Sequence, residues 1–115
     1  MYNILVIKFL GELKMKVLHE EFYKELLSVE KEIKEALNID MVFSKFGNEE
    51  ELISYVEKII NKNGGRATFT KLWSKGRLDL SIEYLILKEK YSNLFSSEIM
   101  EKSYKTLHQY GYEVK

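Results

Sequence analysis

Four cations crowd into one fourteen-residue stretch, GGRATFTKLWSKGR at positions 64–77, beside the chain's only tryptophan and with no acidic residue among them. Arg66, Lys71, Lys75 and Arg77 are side chains of the kind that grip phosphate, arginine through a planar fork and lysine as a point charge. Helical spacing places Lys71 and Lys75 on one face and Phe69, Leu72 and Trp73 on the other. Phosphate contacts supply most sequence-independent affinity for nucleic acid. The expectation is therefore a phosphate-contacting edge made of Arg66, Lys71, Lys75 and Arg77, extended by Lys88 and Lys90. The competing reading is the solvated face of an ordinary amphipathic helix, with Trp73 as a core anchor. The glycines are not a phosphate loop, because the closing Gly-Lys-Ser/Thr is missing.

A second cluster points to a different partner. Tyr84, Leu87, Tyr91 and Phe95 lie close in sequence, and aromatic side chains are favoured at protein interfaces because they bury much area with little rotamer loss. The alternative is the far side of a helix sandwiched between two layers, which reads the same in sequence. The segment Ser81–Tyr91 is too apolar to read a nucleic-acid groove, and its early polar position is Glu83, which phosphate repels.

Catalytic constellations are thin. His19 precedes Glu20–Glu21, but the second histidine of a His-Glu-x-x-His zinc helix is absent. His108 stands alone beside Gln109, and no serine lies in a nucleophile elbow. Glu49–Glu51 fall in a helical first turn, where the macrodipole favours negative charge without any catalytic role. The chain has no cysteine, which excludes a disulfide framework, thiolate ligation and a cysteine nucleophile. The expectation is a protein that binds and does not catalyse, with no cofactor and no metal.

The elements that must position these residues follow from composition and periodicity. The chain has 115 residues, 45% of them hydrophobic, and a formal net charge of zero. This is the length of one domain, expected over 1–115, with an N-terminal apolar segment and long helix over 1–46 and a helical part over 47–115. The neutrality hides an asymmetry. Residues 1–60 hold eight lysines against twelve acidic residues, or −4, and residues 61–115 hold ten cations against six, or +4. Such a dipolar chain either offers a basic face to a polyanion or pairs its two halves. No apolar run reaches the ~20 residues of a membrane span, and a cytoplasmic location off the membrane is expected.

Turn signals stand at Gly11, Asn38–Asp40, Gly47–Asn48, Gly64–Gly65, Gly76 and Gly111. Asn3–Leu10 is short and apolar, and periodicity leaves strand and helix both open. Leu18, Phe22, Leu26, Val29, Ile33 and Leu37 form the stripe of a long amphipathic helix. That stripe packs within its own domain or, with the apolar N-terminus, forms the seam of a homodimer. Met41–Phe46 is a short apolar connection, possible as a strand. Asn48 and Glu51 open a second helix in a capping-box pattern, and Gly64–Gly65 close it. Arg66–Phe69 reads as a short strand, Ser81 and Ser96 as N-caps of later helices, and Tyr112–Val114 as a terminal strand.

This order over residues 48–115 resembles a winged-helix or helix-turn-helix domain. A helix, Gly64–Gly65 and a threonine-rich step lead into a short helix, and Leu107 to Gly111–Tyr112 is similar to a last helix running into a strand. The fold class expected is mostly α with minor β: a winged-helix-like C-terminal half behind a long amphipathic helix. Two functions are carried forward. The first is a small nucleic-acid-associated regulator that contacts phosphates through its basic edge. The alternative is a protein-binding inhibitor or adaptor from a phage or mobile element, such as an anti-CRISPR, that acts by occluding a larger machine.

Overall fold

A computed structural model describes residues 4–39, 49–61 and 67–113. The first element is one helix, α1, running unbroken from Ile4 to Leu37 over 34 residues. At 1.5 Å per residue it is about 51 Å long, so it sets the 54 Å long axis of the molecule. The choice left open for the N-terminal run is thus made in favour of helix. Gly11 lies inside α1 and breaks nothing. α1 ends at Asn38, whose φ of 56° is the left-handed conformation that asparagine tolerates best after glycine.

Four shorter helices follow: α2 (Glu49–Asn61), α3 (Ala67–Ser74), α4 (Ile82–Ile86) and α5 (Ser97–Gln109), with 3-10 turns at Leu78–Leu80 and Glu89–Tyr91. Two of the glycine signals end helices by the same device. Gly76 at φ 69° donates to the Trp73 carbonyl at 3.0 Å while Arg77 N–H reaches back to Leu72 at 2.8 Å. Gly111 at φ 78° donates to His108, and Tyr112 N–H to Leu107, both at 3.0 Å. These are paired Schellman bonds that satisfy carbonyls left over at a helix end. Ser81 and Ser96 are the N-caps of α4 and α5, accepting from Tyr84 and Ile99 N–H at 3.2 Å.

The minor β and the wing of the expected fold class are corrected. Among the described residues there is no strand. Residues 67–69 belong to α3, because Phe69 and Leu72, three apart, both point into the core. Tyr112 and Glu113 form no strand either: Tyr112 packs edge-on against Tyr84 at 5.6 Å, leaving its backbone unladdered. Met41–Phe46, Gly64–Gly65, Arg66 and Val114 lie outside the described residues.

Two apolar clusters hold the body together along one side of α1. In the first, Phe22 and Leu26 of α1 meet Leu52, Val56 and Ile60 of α2, Leu85 and Ile86 of α4, and Tyr91, Phe95 and Ile99. Phe22 sits edge-on to Tyr91 at 5.1 Å and to Phe95 at 5.2 Å, a preferred aromatic arrangement. In the second, Ile33 of α1 meets Phe69, Leu72, Leu78, Leu80 and Leu107. The long stripe is therefore used inside the chain. Leu26 is fully buried, so Leu26→Ala should lower unfolding stability by about 2–5 kcal/mol in a denaturant titration. Gly11→Ala should act oppositely. A Cβ there meets nothing within 4 Å, and alanine favours helix over glycine by about 1 kcal/mol, so far-ultraviolet circular dichroism should show more helix and no loss of Tm.

Candidate protein-binding surface

Of the six cations of the expected basic edge, five are described, and three of those five end on carboxylates. Arg77 lies past the end of α3 and is held by Asp79, with Nε to Oδ1 at 3.1 Å and Nη2 to Oδ2 at 3.2 Å. Glu32 of α1 stands 3.6 Å from the same guanidinium. Lys88 and Lys90, on the other side of α4, both end on Glu25 of α1. Lys71 and Lys75 remain exposed, and among the described residues their side chains have no ion-pair partner. Trp73 lies about 160° around α3 from Lys71, half-exposed and edge-on to Tyr110 at 5.4 Å. The indole and the Lys71 side chain therefore face different ways. Arg66 lies outside the described residues.

Glu25 is the convergence point. Its Oε2 accepts from Lys88 Nζ at 2.9 Å, and its Oε1 accepts from the Tyr91 hydroxyl and from Lys90 Nζ. Partial burial works against the ionised carboxyl, yet the hydrogen bonds from Lys90, Tyr91 and Lys88 outweigh it and hold its pKa down at about 2. The Tyr91 phenol is pushed well above its ordinary value, first by burial and then by its bond to Glu25. This cluster fastens the 3-10 turn Glu89–Tyr91 to the middle of α1.

The second expected cluster does not form a surface. Tyr91 is fully buried and Phe95 nearly so, both against Phe22. Tyr84 and Leu87 are half-buried, packed against the second core cluster. Ser81–Tyr91 is a five-residue helix and a 3-10 turn rather than one helix, and most of it faces inward.

The apolar surface lies elsewhere. From Ile4 to Lys14 every residue of α1 is exposed, and Met15 is the first to become half-buried. Ile4, Leu5, Ile7, Phe9, Leu10, Leu13 and Val17 are large apolar side chains 46–81% exposed. The sequence carried a signal for this arm that residue types alone hide. Val6, Leu10, Leu13 and Val17 follow at four, three and four, the spacing of a coiled-coil seam. At 100° per residue that stripe centres about 150° around α1 from Phe22. The stripe thus faces away from the body, while the exposed Ile4 and Ile7 lie on the Phe22 side of the helix. On the body side a groove is lined by Lys8, Gly11, Met15, His19 and Glu50. Among the described residues no set of three histidines and carboxylates comes together to hold a metal, and no helix is long and apolar enough to cross a membrane. Comparison with protein-family models, curated proteins and solved structures finds no match.

The Glu25 cluster predicts a pH dependence. A carboxyl whose folded pKa is below its ordinary 4.5 stabilises the fold fully above that value, and the contribution is lost as pH falls toward about 2. Glu25→Gln should cost about 1–3 kcal/mol at neutral pH, and its stability should fall less steeply than wild type between pH 4.5 and 2. Urea melts at a series of pH values check both. Tyr91→Ala should lower stability by about 3–5 kcal/mol, as for loss of a core ring, measured in the same melts.

Proposed function

We propose that this chain is a non-enzymatic protein-binding module, an inhibitor or adaptor that works by occupying a surface rather than by turnover. The observation that carries the reading is the apolar arm of α1, exposed over Ile4–Lys14, whose stripe of Val6, Leu10, Leu13 and Val17 faces away from the chain's own core. Contiguous exposed apolar surface of this kind marks an interaction site far more often than scattered single side chains do. A long, regular helix also suits recognition, because it presents its side chains at fixed spacing without ordering a loop first.

A nucleic-acid-associated regulator is the second reading, and the exposed Lys71 and Lys75 favour it. Its support is narrower than the sequence suggested. Arg77, Lys88 and Lys90 each meet a carboxylate, and a cation already neutralised releases few counterions on binding phosphate.

The two readings separate in one set of measurements. Affinity capture from the native cells with wild type and with Leu10→Glu/Leu13→Glu should show protein partners that the double variant loses. Capture by Lys71→Glu/Lys75→Glu should be unchanged. Mixed-sequence duplex and single-stranded DNA and RNA at about 50 mM salt should bind weakly or not at all. Tight binding that falls steeply with salt and vanishes in Lys71→Glu/Lys75→Glu would overturn the protein-binding reading in favour of the second.

A further inference from the structure

We infer that the arm of α1 is the seam of an antiparallel homodimer, in which the N-terminal turns of two chains pack side by side with the two bodies at opposite ends. The inference rests on the reading of the arm as a protein-binding surface and names its first partner: a second copy of this chain.

The register is set by where the apolar stripe stops. Leu10, Leu13 and Val17 occupy consecutive seam positions, and the next two positions along the same stripe are Glu20 and Lys24, both exposed. A parallel pair in register would set Glu20 against Glu20 and Lys24 against Lys24, two like-charge layers inside the seam. An antiparallel pair avoids both. With Leu10 of one chain opposite Leu13 of the other, Val17 falls opposite Val6, and Glu20 and Lys24 run out past the end of the partner's seam. The apolar length of the arm matches that overlap.

The flanks agree. In this register Ile7 and Phe9 of one chain lie beside Lys14 and Lys16 of the other. Their aliphatic stems cover the apolar flank while the ammonium groups reach water. A parallel pair brings no like relief at Glu20 and Lys24. The bodies do not obstruct the seam, because Phe22, Leu26 and Ile33 bury the opposite side of α1. The covered area is on the order of 600 Å² per chain, which is about the lower bound for a specific interface. It places the dimer in the micromolar range and not tighter.

The absence of cysteine from the chain makes the geometry directly testable. Sedimentation velocity of the full chain from about 1 to 200 μM should show a monomer–dimer equilibrium with Kd on the order of 10 μM. Leu10→Glu/Leu13→Glu should sediment as monomer across that range with the thermal unfolding of the body unchanged, since both leucines are exposed. Mixed Leu10→Cys and Leu13→Cys chains should form the disulfide-linked heterodimer several-fold faster than either variant links to itself. Faster self-linkage of Leu10→Cys would show a parallel seam and overturn the inference. So would a wild type that stays monomeric at 200 μM. If that monomer still captures partners through Leu10 and Leu13, the protein-binding reading survives and the homodimer alone is lost. If the monomer instead binds phosphatidylcholine vesicles through those leucines, the arm is a membrane-surface helix and both fall.

Discussion

The carboxylate of Glu25 holds together parts of the chain that have no regular backbone to do so. Lys88, Lys90 and Tyr91 come from a stretch containing one five-residue helix and one 3-10 turn, too short to stand by local hydrogen bonding. Their polar atoms converge on one side chain of α1, sixty-odd residues earlier. Phe22, one turn before Glu25, meets the same Tyr91 ring from the apolar side. One helical turn of α1 thus grips the ring by its edge and its hydroxyl at once. The rest of α4 and the approach to α5 are placed by that grip.

Charge and packing are coupled by this arrangement, and the coupling shapes the functional reading. The sequence divides into an acidic half and a basic half, −4 and +4. The structure pairs them: Glu25 with Lys88 and Lys90, Glu32 with Arg77. Much of the apparent basic edge is therefore internal complementarity. A half-buried carboxylate that has lost part of its water demands donors, and the nearest cations supply them. What is left facing solvent as an unusual surface is apolar, and it belongs to the N-terminal turns of α1.

Helix α1 has two faces with different surroundings. From Met15 onward its stripe is buried in the two core clusters. A second apolar stripe, at Leu10, Leu13 and Val17, lies exposed on the far side. A helix that only covered its own core would begin near Met15, because each earlier exposed turn adds apolar surface in water at a cost. Instead the regular helix extends back through an exposed glycine, with leucines at coiled-coil spacing.

How much was legible follows from how local each signal is. The stripe from Leu18 to Leu37, the serine caps at Ser81 and Ser96, and the helix stops at Gly76 and Gly111 are decided within a few residues, and the sequence determines them by itself. So is the absence of thiol chemistry. The strands expected at Arg66–Phe69 and at the C-terminus are absent over their described residues, 67–69 and 112–113, because a strand is not a local object: it needs a partner strand to complete its hydrogen bonds. Tyr91 and Phe95 looked like an interface and Lys88 and Lys90 like a phosphate grip. Composition cannot tell an aromatic facing solvent from one facing Phe22, or a free lysine from one bound to a distant glutamate. Only the tertiary structure, by bringing α1 against residues more than sixty positions away, decided which side chains were spent inside the molecule and which remained exposed.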